Sequence, residues 1–209
     1  MATVLLVNGA AEVRQKGESD FHAITGSSLL GVDALVRTGA GGTVDLAFLP
    51  NALADLSETT ELQIDELTLS KDGNATRNDV RSRVVHLRLL RGTMHVSFNR
   101  LQGSYADLTI RTPHGEITAS SDCIFFVNVD DRRTRVVSVY GMITAHVEGT
   151  DSPVEAGYFQ EFPSSDLSPR AAEDDQQAQR EVTATIEADH ALQNLAGRQR
   201  LSKPDFLNH

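Results

Sequence analysis

The chain has 209 residues, a formal net charge of −10, 40% hydrophobic residues, no tryptophan and a single cysteine. That length holds one ordinary domain with an appendage, or two small domains, and can bury a core without disulfide staples. The negative charge disfavours nucleic acid and anionic lipid as partners, because such binding depends on Lys and Arg displacing counterions; one cysteine excludes an internal disulfide framework.

Residues 3–7 and 11–15 read as a hairpin around Asn8-Gly9, since both turn residues tolerate the positive φ of a type I′ turn. Short strands follow over 21–24, 34–37 and 43–49, separated by Gly26-Ser27-Ser28 and by Gly39-Ala40-Gly41-Gly42. The second cluster could cradle a phosphate only with a following helix and a lysine; neither follows, so a tight hairpin explains it better. Pro50-Asn51 breaks the run before a strand over 52–56. Leu62, Ile64, Leu67 and Leu69 then predict two half-buried strands or one bent strand with a bulge. Residues 70–79 are polar and unpatterned, which predicts an exposed loop. Asp72, Asn74 and Asp79 offer oxygens to calcium there, but the acidic closing residue of an EF-hand is missing.

Val85, Leu87 and Leu89 alternate, Arg91-Gly92 turns, and Met94, Val96 and Phe98 alternate again. This predicts a second hairpin with His86, Arg88, His95 and Ser97 on its outer face. Two histidines on neighbouring strands would need a third ligand to hold a metal, and no spaced His, Cys or carboxylate set supplies one. From Leu108 to Val147 short apolar runs alternate with turn residues and leave no room for a helix. Cys123, Phe125, Val127 and Val129 share one parity, and after the turn at Asp130-Asp131-Arg132-Arg133 the same buried face is expected to continue through Val137 and Val139. Tyr140-Gly141 then turns the chain into Ile143, Ala145 and Val147, so that three hairpin-linked strands form one wall of a β-core. Cys123, His114 and Asp122 are the only set that could be dressed as nucleophile and base. The parity of Cys123 with Phe125 makes it a buried small hydrophobe instead.

Residues 154–156 and 158–162 close the β-region around Gly157, and Pro163 ends it. Ser168-Pro169 supplies a helix cap and first position, with Glu173, Asp174 and Asp175 near the positive end of the dipole. A helix is expected from Pro169 to about Ala196, stopped by Gly197, with a thin apolar stripe of Val182, Ile186, Leu192 and Leu195. Glu173, Glu181 and Glu187 should face water. The stripe is too thin for a self-sufficient coiled coil, so the helix should pack on the β-region of its own chain or of a neighbouring copy, the latter being the route to self-association. Residues 201–209 should fray.

Several of these motifs, in this order, resemble the FecR domain family. Gly26-Ser27-Ser28-Leu29-Leu30-Gly31-Val32-Asp33 with Arg37-Thr38-Gly39 is similar to the family's opening, and Leu90-Arg91-Gly92-Thr93-Met94 to its middle. Thr112-Pro113, Phe125-Phe126-Val127, Val137-Ser138-Val139, Tyr140-Gly141 and Ala156-Gly157 are similar to its later strands and turns. The resemblance spans roughly residues 4–163 and departs at Asp122-Cys123, where the family usually has Gly-Thr. It implies an all-β extracytoplasmic module without catalytic residues, and a natural gene product that begins earlier, with a signal or anchor.

The expected fold is all-β, a β-sandwich or twisted solenoid-like stack of short antiparallel strands, with a C-terminal α-helix. A FecR-like β domain should cover 1–163, and a linker, helix and frayed tail 164–209. No acid, base, nucleophile, cofactor or metal set converges, so no catalytic, cofactor or metal residue is expected, and no binding residue is assigned. The resemblance implies a non-catalytic, periplasmic or otherwise extracytoplasmic interaction module in envelope signalling or scaffolding, with an envelope or membrane protein as partner. The alternative is a small-ligand or carbohydrate-binding module, poorly supplied with rings because only Tyr105, Tyr140 and Tyr158 are tyrosines and tryptophan is absent.

Overall fold

The computed structural model describes residues 1–26, 28–71, 80–101, 103–164 and 166–202. Asp72, Asn74 and Asp79 of the calcium reading, and tail residues 203–209, lie outside them. The first half of the chain forms β1 (Ala2–Asn8), β2 (Ala11–Arg14), β3 (His22–Ala23), β4 (Leu29–Leu30), β5 (Leu35–Thr38), β6 (Thr43–Leu49), β7 (Ala52–Leu56), β8 (Glu61–Lys71) and β9 (Val80–Phe98). The second half adds β10 (Tyr105–Thr112), β11 (Gly115–Ala119), β12 (Cys123–Val129), β13 (Thr134–Tyr140), β14 (Met142–Val147), β15 (Thr150–Glu155), β16 (Tyr158–Phe162) and β17 (Arg170–Ala171). A 3-10 turn (Ala172–Asp174) and α1 (Gln176–Ser202) complete the described chain, so the fold is all-β with one C-terminal helix.

The strands make two facing sheets that share β9. The covered sheet runs β4-β1-β6-β7-β9-β12-β13-β16-β17. The open sheet runs β3-β2-β5-β8-β9-β10-β11-β14-β15. Residues 80–91 of β9 pair in the open sheet; the strand bends at Gly92, and residues 92–98 pair in the covered one. The predicted hairpin at Arg91-Gly92 is therefore a single 19-residue strand. β10 returns beside the first part of β9 in parallel, and later hairpins alternate: β10–β11 open, β12–β13 covered, β14–β15 open, β16–β17 covered. The molecule is thus a sandwich assembled as a stack.

Crossings between sheets account for two more corrections. β1 and β2 do not pair with each other, because Asn8-Gly9 is a corner from one sheet to the other. Asn-Gly reports a backbone that accepts positive φ, and a corner needs that as much as a hairpin does. Likewise β13 and β14 lie in different sheets, so the stretch from Cys123 to Val147 builds two walls, not one. At the corner between them Gly141 has φ +74, and a Cβ there would sit 2.0 Å from the Asp122 carbonyl oxygen. Only glycine fits both the dihedral and the close approach. On the first-half crossings a threonine column joins successive rungs. Thr60 N donates to Thr38 Oγ1 at 2.8 Å, Thr93 N donates to Thr60 Oγ1 at 2.9 Å, and Asn128 Nδ2 donates to Thr93 Oγ1 at 2.8 Å.

Between the sheets lies the main core, including Leu46, Leu62, Ile64, Val85, Leu87, Phe98, Cys123, Phe125, Val127, Ile143, Val147 and Phe162. Val137 is buried too, but on the other side of its sheet with Phe126 and Phe159, and Val139 is half-buried. The four-residue connection 130–133 pairs Val127 with Val136 and Val129 with Thr134, so odd positions of β12 face even positions of β13. Parity therefore switches across that turn.

The second cluster exists because α1 covers the outer face of the covered sheet, joining Ala172, Ala178 and Val182 to Phe126, Val137 and Phe159. α1 begins at Gln176 rather than Pro169, because Arg170–Ala171 first pair with β16. Its cap is Asp175, whose Oδ1 accepts the Ala178 N–H at 2.7 Å. The helix passes through Gly197 to Ser202 without stopping. Ala178, Thr185 and Leu192 are buried, Val182 and Leu195 are half-buried, and Ile186 is exposed. Glu173 and Glu187 face water, but Glu181 turns inward. The helix seam is small and polar because the sheet supplies the bulky rings.

Candidate functional site

The residues singled out from the sequence are not brought together. Cys123 is fully buried, and burial, followed by the nearby Asp122 charge, pushes its thiol up to about 12. Asp122 Oδ1 accepts the Arg100 N–H instead of facing the sulfur as a base. His114 Nδ1 contacts Thr134 Oγ1 at 3.1 Å, and Thr134 pairs with Val129, at the opposite end of β12 from Cys123. His86 and His95 lie on opposite outer faces. His86 stands on the open sheet between Glu66 at 3.2 Å and Asp107 at 3.5 Å; His95 lies under α1. The glycine cluster holds no anion cradle: Gly41 N donates to Glu58 Oε2 at 2.6 Å, and a Cβ on Gly42 would come within 2.1 Å of the Ala10 carbonyl oxygen. Its glycines permit two crossings to touch.

The outer face of the open sheet is a lattice of paired charges. Arg37 meets Glu12, Arg88 meets Asp65, and Arg111 meets Asp65 and Glu116. On the same face Thr118 Oγ1 lies 2.8 Å from His146 Nε2, and His146 Nδ1 lies 2.7 Å from Asp151 Oδ1. This has the connectivity of a hydroxyl–imidazole–carboxylate relay. Its surroundings do not suit acyl transfer: Thr118 is flanked in register by Thr109 and Thr144 on a flat face, with no paired backbone donors aimed at its hydroxyl oxygen. A groove of about 580 Å³ at the far end of α1 is lined mainly by Leu5, Leu49, Leu53, Leu67, Leu69 and Ala196. It offers apolar surface rather than convergent acid–base groups.

The chemistry concentrates where α1 meets the covered sheet. Arg135 on β13 is buried, and each nitrogen of its guanidinium donates to a carboxylate. Nε donates to Glu181 at 2.7 Å, Nη1 to Glu161 at 2.7 Å and Nη2 to Asp175 at 3.0 Å, while the carbon lies 4.2 Å from the Phe159 ring centre. Burial works against its charge, but Glu181 and Glu161 hold its pKa above the ordinary arginine value. Burial also opposes ionisation of Glu161, yet Arg135, with Arg133 and Arg170, holds that carboxyl below its usual range. One arginine thus clasps the helix cap, the first helical turns and β16 together.

Beyond the clasp the sheet face becomes titratable. Asp45 on β6, Asp55 on β7 and His95 on β9 are direct cross-strand neighbours, followed by Phe126, Val137 and Phe159 in the same row. Burial first, then the charge of Asp55 and a hydrogen bond with it, raise the Asp45 carboxyl to about 7. Burial lowers the pKa of His95, against the pull of Asp55. His95 packs 5.4 Å from the Phe126 ring and meets Thr185 Oγ1 at 2.9 Å, and Gln193 Nε2 donates to Ser97 Oγ at 2.9 Å. Sequence reading missed both the clasp and this row. The available signal was a lone Asp between apolar neighbours on adjacent strands, Val44-Asp45-Leu46 and Ala54-Asp55-Leu56.

A two-sheet stack of short strands with a helix clasped to one face defines a β-scaffold class. The chain belongs to the FecR protein family, whose model matches residues 34–154. No curated protein matches the chain. Among solved structures it is similar to two crystal structures of a provisionally assigned anti-sigma factor from Parabacteroides distasonis ATCC 8503. Each aligns with a TM-score of 0.46 and 13% identity, covering 66% of this chain. The chain spans 59% of the length of that protein.

Proposed function

We propose that this chain is a non-catalytic, extracytoplasmic protein-interaction module that serves envelope signalling or scaffolding by binding an envelope or membrane protein. The observation that carries the reading is the FecR match over residues 34–154. The surface chemistry supports it. Tyr140, Met142 and Tyr158 are exposed at neighbouring sheet crossings, tied together where Gly157 N donates to the Ser138 carbonyl at 2.8 Å. Exposed Tyr and Met on a rigid frame are the side chains that protein interfaces favour. No helix among the described residues is long and apolar enough to cross a membrane.

The test is site-directed photocrosslinking in the native cell. A photoreactive phenylalanine at Tyr140 or Tyr158 should give a discrete adduct with an envelope-fraction protein, whereas the same group at exposed Thr68 on the open sheet should not. Recovery of the protein in the cytosolic fraction, or equal adducts from all three positions, would overturn the reading. Saturable binding on a glycan array would favour the carbohydrate-binding alternative.

A further inference from the structure

α1 is held to the covered sheet in two unlike ways. Its first part, from Asp175 to Val182, has the Arg135 clasp and the apolar cluster of Phe126, Val137, Phe159 and Ala178. From Thr185 onward it has buried Leu192, the His95–Thr185 contact and the Gln193–Ser97 bond. Next to this second part lies the Asp45–Asp55–His95 row, in which Asp45 and His95 are each only 8% exposed.

The hydrogen bonds define the protonation state that suits docking. The Thr185 hydroxyl donates to the Glu181 carbonyl at 2.6 Å, so its oxygen accepts from His95 Nδ1–H, and burial opposes a second proton on Nε2, which leaves the ring neutral. Asp45 and Asp55 are direct cross-strand partners on a face that buries Asp45, and two carboxyl groups so crowded and shielded keep one charge between them while the other holds a proton. The docked row therefore holds one negative charge and an uncharged imidazole. The elements around the row supply that charge with little compensation. β1 places Leu6 opposite Asp45, and β12 places Phe126 opposite His95. On α1, Glu181 is engaged with Arg135, and Glu187 and Asp189 are acidic; between Glu181 and Ala196 only exposed His190 can become positive. A second negative charge on the pair would find only His95 as a possible cation, whose burial opposes its protonation, and several like charges.

We propose that the second part of α1 is a proton-gated strap, closed while Asp45 and Asp55 share a proton and released when that proton is lost above neutral pH. The inference does not rest on the extracytoplasmic reading. The sign follows from linkage. Burial is the first cause of the raised Asp45 value, and α1 packs on β1 and β7, the strands on either side of β6, so docking shields the pair and the docked state binds the proton more tightly than the released state. Docking is then favoured below about 7 and weakens as pH rises through that value. Each pH unit between the released and docked values changes the docking constant by up to about tenfold. The clasp is not part of the gate, because Arg135 is held above its ordinary value and Glu161 and Asp175 below theirs.

The test is hydrogen–deuterium exchange of the full chain at pH 6.0 and pH 8.0, corrected for intrinsic exchange rates. Protection over 186–198 should fall by up to about tenfold at pH 8.0, while protection over 176–184 stays constant. Asp45→Asn, which keeps the pair hydrogen-bonded and removes the titrating charge, should leave 186–198 protected at both pH values. Asp55→Asn should do the same and serves if the first variant does not fold. In the unsubstituted protein, the carboxyl carbon of Asp45 observed by NMR should titrate near neutrality. Equal protection at both pH values, unchanged pH dependence in the Asn variants, or titration of Asp45 in the ordinary carboxylate range would each overturn the strap.

Discussion

Replacing Arg135 by Met removes the group that ties α1 to the covered sheet while leaving the volume filled. Its side chain is 4% exposed, and its partners Glu161, Asp175 and Glu181 are 19%, 33% and 11% exposed. Removing one member of a buried ion pair costs about 3–5 kcal/mol, because the other is left charged and unpaired. Here the loss is smaller: Glu161 keeps Arg133 and Arg170, and Asp175 keeps the Ala178 N–H. Glu181 and the more exposed Asp175 lose their cationic partner, and the stacking on Phe159 goes as well. We expect a loss of about 2–3 kcal/mol, which moves a urea midpoint down by about 1 M at a typical m-value. A second readout is acid sensitivity. Glu161 and Asp175 titrate below their unfolded values of 4.5 and 3.8, so their contribution is present above those values and is lost as pH falls through the lower folded ones. The Met variant should flatten that acid limb, whereas Arg135→Lys, retaining the charge without the fork, should fall between. A loss below about 0.5 kcal/mol together with an unchanged acid limb would refute the clasp.

Phe125→Ala should cost about 3–5 kcal/mol in a denaturant melt, since a fully buried ring at the centre of the main core leaves a cavity; a loss below about 1 kcal/mol would count against that placement. Gly141→Ala should be destabilised by at least about 2 kcal/mol, because its Cβ would meet the Asp122 carbonyl at a positive φ; a melt like that of the unsubstituted protein would show that the crossing can relax. Cys123 should resist thiol reagents in the native state and react on unfolding; rapid native labelling would contradict its burial. A chain ending at Ser168 tests the proposed boundary at residue 163. It should retain a cooperative melt, because the main core lacks α1 residues, but bind a hydrophobic dye through the uncovered Phe126, Val137 and Phe159; loss of cooperativity would place the helix inside the folding unit.

What could be read from the residues was strand content and punctuation. Thr43–Leu49 and Ala52–Leu56 coincide with β6 and β7, and the bulged single strand through Leu62, Ile64, Leu67 and Leu69 is β8. Which sheet each strand joins was not legible, because Asn8-Gly9, Arg91-Gly92 and Tyr140-Gly141 carry the same turn chemistry in a hairpin, a bend or a crossing. The helix misled for a different reason. Because Phe126, Val137 and Phe159 supply the bulk from beneath, the contact expected of Ile186 falls to Thr185 and Leu192. Nor could the titratable row be found from single strands. Asp45, Asp55 and His95 come from three separate strands, and only the registers of β6–β7 and β7–β9 make them neighbours.

The ends of the stack matter for how the protein behaves at high concentration. An architecture that grows by laying one strand beside the last offers its final edge as a template for a stranger's backbone. Here β3, β4 and β17 at the outer positions are two residues each, and β15 carries Pro153 in its middle, which cannot donate a backbone hydrogen bond. The margins thus offer only short or proline-broken outer strands, which disfavours fibre-like extension and directs association between copies toward side chains on the faces and crossings.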